Sequence, residues 1–398
     1  MSVQPGSAPP SYATRPEPRT VGIVMNGVTG RMGRNQHLIR SIMAIREGGG
    51  IPIPDGRIIW PEPVLVGRDR DRMAALAAEV GVESFTTDLK AALSDPSCEI
   101  YFDAQLTSAR EPCVRQAIAA GRHVYCEKPL TTDVGSALEL ARLADAAGVR
   151  QGVVMDKLFL PGLRKLRALI DSGFFGRILA ARGEFGYWVF PGPQPPPQRP
   201  SWNYRAQDGG GIISDMFCHW QYTLEHLLGA PRSVCTTATI HLPRRTDEMG
   251  APYETTAEDA AYALFELDGG VPVSMNSSWC VRVNRDELFE LQVDGTAGSA
   301  VAGLRDCRIQ PGELTPRSVW NPDLPDPVSH RQAWTPAPEA GPYDNGFKVQ
   351  WEAFLRHVVL DEPFPWDFRA GARGLQLADA GMTSWRERRW VDVPPLPA

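Results

Sequence analysis

The sequence predicts two units of different class. The first is α/β, a doubly wound parallel sheet. The second is α+β, built on a mainly antiparallel sheet. Between residues 20 and 153, short apolar runs alternate with helical patterns. Beyond residue 153, strand-like runs follow one another without intervening helices, which favours antiparallel or mixed pairing. A chain of 398 residues is also too long for one ordinary domain.

Met1 to Arg19 is rich in Pro, Ser and Gly and lacks an apolar segment. It reads as a disordered leader, not a secretory signal. Thr20 to Met25 is a buried strand by length and β-branching. It runs into Asn26-Gly27-Val28-Thr29-Gly30-Arg31-Met32-Gly33, and a helix with Leu38, Ile42 and Ile45 on one face follows. Strand, glycine turn and helix form the context of a Rossmann-type dinucleotide cradle, here with the variant spacing G-x-x-G-x-x-G. Glycines let the backbone approach a pyrophosphate, whose charge meets the helix N-terminus. Asn26, Gly27, Thr29, Gly30, Arg31, Met32 and Gly33 are therefore the expected cofactor residues.

Gly48 to Trp60 is longer than an ordinary connection and predicts a flap or a subunit contact. Pro63 to Val66 is the next strand, ending at Gly67-Arg68-Asp69. An acidic residue at that end would take the ribose hydroxyls of NAD. Gly67 followed by Arg68 leans towards the 2′-phosphate of NADP, with Asp69 still in reach of the ribose, so NAD and NADP both stay open. Met73 to Val80, a short segment around Ala91 to Leu93, Glu111 to Ala120 and Val134 to Ala147 read as helices. Cys98 to Ala104, His123 to Cys126 and Gln151 to Met155 read as strands. Ligands bind beyond the carboxyl ends of such strands. Cys126-Glu127-Lys128-Pro129-Leu130 lies at one of them, and the Lys128–Pro129 bond is a candidate cis bond.

In the second unit, Leu163 to Leu169 is an amphipathic helix. Ile178 to Phe190 is a strand carrying Phe185, Tyr187, Trp188 and Phe190. Val234 to His241, Ala260 to Leu267, Val271 to Trp279, Glu287 to Val293 and Ser299 to Ala302 are further strands. Trp351 to Val359 and Ala370 to Trp385 are closing helices. Gly209-Gly210-Gly211 precedes a helix over Ile212 to Leu228, which puts Asp215 and His219 on one face. Cys218 and His226 fall on other faces, so a metal site is not expected. The segment Arg199-Pro200-Ser201-Trp202-Asn203-Tyr204-Arg205 suits sugar recognition, with stacking on Trp202 and hydrogen bonds from Asn203 and Tyr204. Arg199 and Arg205 would hold a carboxylate, phosphate or sulfonate. Asp156, Lys157 and Trp188 are further substrate-cleft candidates.

The glycine loop, the phrase AAGRHVYCEKPL at residues 119–130 and GGGIISDMFCH at residues 209–219 come in an order that resembles the glucose–fructose oxidoreductase and inositol dehydrogenase (Gfo/Idh/MocA) family. The likeness covers nearly the whole chain after residue 20, including Ile170 to Gly176 and a terminal helix containing Ser384. It implies an open-faced sheet used for substrate binding and oligomerisation, a homodimer or homotetramer, and NAD(P)(H), with Glu127 and Lys128 beside the cofactor. It also implies that Lys128, Asp215 and His219 line the reacting carbon. In that reading His219 is the main acid/base, Lys128 polarises the oxygen or shares the proton, and Asp215 binds a neighbouring hydroxyl and orients the pair. Desolvation and nearby cations would lower the Lys128 pKa. Two stretches depart from the family pattern: Gln105 to Arg110 lacks the Pro-rich, His-containing turn, and Gly48 to Trp60 is inserted.

The implied activity is NAD(P)-dependent oxidation or reduction at a CH–OH group of a sugar, inositol or sugar derivative. A second reading is a redox-assisted glycosidase, working on an anionic sugar such as a sulfosugar glycoside by transient oxidation, elimination, hydration and re-reduction. A third is a non-enzymatic ligand sensor, which would not need a proton relay. The net charge of −6 argues against a nucleic-acid partner, and no apolar run is long enough to span a membrane. Seven scattered cysteines without a C-x-x-C pair suit reduced thiols in a cytoplasmic enzyme.

Overall fold

A computed structural model describes residues 17–189, 199–283, 286–317, 319–325 and 332–397. Nearly all of the expected leader, and Phe190, lie outside the described residues.

The first unit runs β1 (Arg19–Asn26), α1 (Gly33–Met43, wound as a π-helix and continuing as Ala44–Glu47), β2 (Ile51–Pro52), β3 (Ile58–Val66) and α2 (Arg70–Val80). It continues with β4 (Phe85–Thr86), α3 (Leu89–Ser94), β5 (Cys98–Asp103), α4 (Thr107–Ala119), β6 (His123–Cys126), α5 (Val134–Ala146) and β7 (Gln151–Val153). The sheet order is β2-β3-β1-β5-β6-β7, with β4 beside β3, and every pairing except β2 with β3 is parallel. Helices cover both faces. Val21, Ile23 and Met25 pack on the side of α1, whereas Val24 packs on the side of α4 and α5. That alternation is the period-2 signature of a strand buried on both faces. Asn26 is opposite Asp103, and Asp103 is opposite Cys126, so the carboxyl ends of β1, β5 and β6 form one row.

The Gly48 to Trp60 insertion is neither flap nor free loop. It makes a short antiparallel hairpin in which Ile51 faces Ile59, adding an edge strand to the sheet. Ile51, Ile53 and Ile59 are buried in the first core, which is why the insertion folds back.

The second unit contains α6 (Pro161–Asp171), β8 (Ile178–Gly186), α7 (Ile212–Leu227), β9 (Pro231–Thr239), β10 (Arg244–Thr246), β11 (Pro252–Glu254), β12 (Ala260–Leu267) and β13 (Pro272–Ser278). After these come β14 (Phe289–Gly295), β15 (Gly298–Ala302), β16 (Cys307–Pro311), β17 (Thr335–Pro336), α8 (Gly346–Leu360), α9 (Phe368–Glu387) and β18 (Val391–Asp392). The main sheet has the order β17-β16-β15-β14-β8-β13-β12-β9-β18, and only β8 with β13 is parallel. One face packs against helices and the other is open. In β12, Ala261, Ala263 and Phe265 are buried, while Tyr262 and Leu264 are exposed.

The last two helices do not simply close the second unit. In α8, Trp351, Phe354 and Leu355 are fully buried in the first core with Ile23, Leu38, Phe102 and Tyr125. In α9, Phe368 and Ala372 join the first unit, whereas Leu377 and Ala380 join the second. The chain therefore returns to its first sheet, and the two units share one clamp. Phe354→Ala should destabilise the protein by about 3–5 kcal/mol, the usual loss for a buried aromatic. Urea unfolding measures this, and a change well under that range would show that α8 is not part of the first core.

Candidate active site

The glycine loop starts where β1 ends. Gly27 has φ +85°, and a Cβ there would sit 2.5 Å from the Ala104 carbonyl carbon. A Cβ on Gly33 would meet the Gly27 oxygen at 2.5 Å, whereas Gly30 is exposed and meets only that oxygen, at 3.4 Å. Two glycines thus allow close packing, and the third keeps the outer surface low. The start of α1 has no side-chain cap, as is also true of α4, α6 and α7, whereas α2, α3, α5, α8 and α9 are each capped by Asp or Asn. Uncapped amides behind a flat glycine surface fit a pyrophosphate. Thr29, Arg31 and Met32 lie on this loop. At the end of β3, Arg68 is exposed. Asp69 is exposed and caps α2, its Oδ1 accepting from the amides of Asp71 and Arg72.

Behind the loop runs a buried polar chain. Asn26 Nδ2 donates to the Tyr101 hydroxyl at 3.0 Å, and that hydroxyl donates to Asp103 Oδ2 at 2.6 Å. Arg110 Nε donates to Asp103 Oδ1 at 3.1 Å, and both residues are essentially inaccessible. Arg110 also donates to the Gln105 and Pro129 carbonyls. The departure at Gln105 to Arg110 thus acquires a purpose: Arg110 ties α4 to the loop that carries Lys128. The Lys128–Pro129 bond is cis.

Glu127 turns inward. His37 Nε2 contacts Glu127 Oε1 at 2.8 Å, and Trp351 Nε1 donates to His37 Nδ1 at 3.0 Å. With Nδ1 accepting, Nε2 carries the ring proton and donates it to the carboxylate. Burial pushes the Glu127 pKa up, but the hydrogen bond from His37 and the nearby cationic charge of Lys128 outweigh that and leave it lowered.

Lys128 crosses to the second unit. Its Nζ lies 2.7 Å from Asp215 Oδ1 and 3.2 Å from the Asp215 carbonyl oxygen. Arg199 Nη2 donates to Asp215 Oδ2 at 3.0 Å. One carboxylate therefore sits between two cations. Burial alone would lower the Lys128 pKa, but the Asp215 charge overrides it and the ammonium is held protonated. This reverses the expectation of a lowered lysine. Burial would likewise raise Asp215, yet Lys128 and Arg199 hold it ionised. His219 is one helical turn along α7 and buried. Its pKa is depressed well below 6.5 by burial, then by the charges of Lys128 and Lys157, so the ring is neutral at neutral pH. Its Nδ1 lies 2.5 Å from the Tyr222 hydroxyl. Lys157 pairs with the buried Asp156 at 2.6 Å on the turn after β7.

The start of α7 is set by glycine. Gly211 has φ +120°, and a Cβ there would sit 2.4 Å from the Glu258 carboxylate, which accepts from the Ile213 amide. A Cβ on Gly210 would meet the Trp202 and Asn203 carbonyls at 2.4 and 2.5 Å. The segment from Arg199 to Arg205 is thereby packed under α7, but not all of it faces the charged group. Arg199 also donates to the Tyr187 hydroxyl at 2.9 Å and to Asn203 Oδ1 at 3.2 Å, and it stacks on Trp279. Its charge is neutralised from within and is not set aside for a substrate anion. Arg205 stacks on Tyr253 and lies 4.0 Å from Asp208. Tyr204 is buried against Trp279 and under Arg245, so it serves as packing and not as an open sugar contact. Trp202 is 40% exposed, and Trp188 lies under Arg282. Sequence reasoning missed Arg110, His37, Tyr187 and Tyr222. Only Arg110 carried a signal, because it fell in a stretch already out of pattern.

Residues 21–155 match the oxidoreductase family with an NAD-binding Rossmann fold, and residues 163–301 match the GFO/IDH/MocA C-terminal domain. The chain belongs to the GFO/IDH/MocA family. Membership makes it an NAD(P)-dependent oxidoreductase. It is 52% identical over 380 residues to a D-xylose dehydrogenase of Paenarthrobacter nicotinovorans, covering 94% of this chain and 98% of that protein. It is 21% identical over 371 residues to a levoglucosan dehydrogenase of Pseudarthrobacter phenanthrenivorans, covering 85% and 93%. A solved levoglucosan dehydrogenase in complex with NADH and L-sorbose superposes with a TM-score of 0.78 at 20% identity, over 95% of this chain and 100% of that one. At that identity the likeness speaks to the fold. Among the described residues, no helix is long and apolar enough to cross a membrane.

Gly211→Ala should cost about 1–3 kcal/mol, since alanine would sit at a positive φ against the Glu258 carboxylate. Thermal unfolding tests this, and native stability would mean that α7 can start differently.

Proposed function

We propose that the protein is an NAD(P)-dependent dehydrogenase of a neutral sugar, with an aldose such as D-xylose as the first substrate to try. The carrying observation is the group where the two units meet: Lys128, at the carboxyl end of β6, lies 2.7 Å from Asp215 Oδ1, and the buried His219 follows one helical turn along α7. The extended likeness to a D-xylose dehydrogenase supports the substrate class.

Gly27, Gly30, Gly33 and the first amides of α1 would hold the dinucleotide, with Arg68 beside its adenosine ribose. The bound dinucleotide supplies the hydride acceptor. His219 takes the proton of the reacting hydroxyl, which its neutral ring is ready to do. The Lys128 ammonium donates to the same oxygen and stabilises the negative charge that develops on it. Asp215 keeps Lys128 charged and in place. Because Arg199 is already paired with Asp215, a neutral sugar fits better than a sulfonated one. This favours net oxidation over the redox-assisted glycosidase reading, and retention of a base next to an ammonium favours an enzyme over a sensor.

The purified protein should reduce NAD+ or NADP+ with D-xylose, followed by nicotinamide absorbance. Cleavage of a chromogenic glycoside with no net dinucleotide reduction would replace this reading with the glycosidase. His219→Ala should lower kcat by about 10²–10⁴-fold with little change in dinucleotide affinity. Since the base must be neutral and its pKa is depressed, kcat/KM for oxidation should hold down to pH 6.5 and fall only below it. An acid limb centred above 6.5 would count against His219 as the base.

A further inference from the structure

His219 has two ring nitrogens, and the proposed chemistry uses one. Its Nδ1 is occupied at 2.5 Å by the Tyr222 hydroxyl, three residues on along α7. Tyr222 is itself buried, with its ring edge-on to the imidazole at 5.6 Å. We propose that Tyr222 is a positioning residue that holds Nδ1 of His219 and leaves Nε2 as the nitrogen that exchanges a proton with the sugar. The proposal rests on His219 being the base.

The chemistry of a phenol suits this task. When Nε2 accepts the proton of the sugar hydroxyl, the ring becomes an imidazolium with a hydrogen on each nitrogen. The Nδ1 hydrogen then needs an acceptor in a site with little water, and the phenol oxygen provides one. The neutral ring already carries its hydrogen on Nδ1, so the same phenol oxygen accepts from it before and after proton transfer and holds the ring in one orientation. Burial keeps the Tyr222 hydroxyl protonated far above its usual range, so it adds no charge. A carboxylate in the same place would favour the imidazolium and raise the histidine pKa, leaving less of the neutral ring ready to accept a proton. The other groups facing His219 are Lys128 on the loop after β6, Lys157 on the turn after β7, Arg199 on the segment before α7 and Asp215 on α7 itself. Three of these four are cations, so a neutral partner on Nδ1 keeps the ring from having to carry charge at rest.

The test is Tyr222→Phe in the full-length protein, with a sugar and dinucleotide that the native enzyme turns over. The expected result is a kcat lower by about 10–100-fold, on the scale of losing the partner that orients a metal-bound histidine. The KM for sugar and the dinucleotide affinity should stay near native values. The acid limb of kcat/KM should move to lower pH, because the imidazolium loses its acceptor. A native kcat with an unmoved acid limb would overturn the proposal, whereas a His219→Ala enzyme that still turns over would overturn the base assignment beneath it. If the Phe variant does not fold, nitrogen-15 NMR of labelled histidine in the native protein decides instead. A single tautomer with hydrogen on Nδ1 supports the proposal, whereas hydrogen on Nε2 or an even mixture of tautomers overturns it.

Discussion

Asp215 is the hinge of this molecule. Its two carboxylate oxygens receive Lys128 from the first sheet and Arg199 from the second unit. Without it, two partly buried cations would face each other across the cleft with no countercharge. With it, the lysine stays protonated, while burial and the nearby cations keep His219 neutral. The site thus holds an electrophilic ammonium and a basic imidazole at one pH, with Asp215 raising the lysine and burial and nearby cations lowering the histidine beyond the gap the free side chains already show.

Behind this group the polar interior is tightly specified. Asp103 is fully buried and accepts from Arg110, Tyr101 and Gln105. A buried carboxylate left unpaired would be costly, and the surrounding donors remove that cost while fixing geometry. The same chain reaches Asn26 at one end and the Pro129 carbonyl at the other. The cofactor loop and the lysine loop are therefore braced by one network. The Trp351–His37–Glu127 chain braces the neighbouring side and brings α8 back onto the first sheet.

Much of the fold was legible because it is local. The apolar run of β1, the glycine turn and the following helix announce themselves within a few residues. The i,i+4 spacing of Asp215 and His219 needs only a helix to share a face. Boundaries were less exact: β3 begins at Ile58 because the Gly48 to Trp60 insertion pairs with it, and α4 begins at Thr107. Both depend on partners outside the segment, which no local period reports.

By itself, the sequence determined the two sheet classes, the glycine cradle and the residue types at the reacting edge, since periodicity and backbone demands act over short range. Only the tertiary structure decided partner choice. Lys128 selects Asp215, 87 residues away, instead of the adjacent Glu127, because Glu127 is taken by His37. Arg199 finds Asp215 as its partner, and Asp69 caps α2. Trp351 reaches His37 across 314 residues. Each outcome is a competition among donors and acceptors that meet only once the chain has folded, so the winner is set by geometry and desolvation in three dimensions.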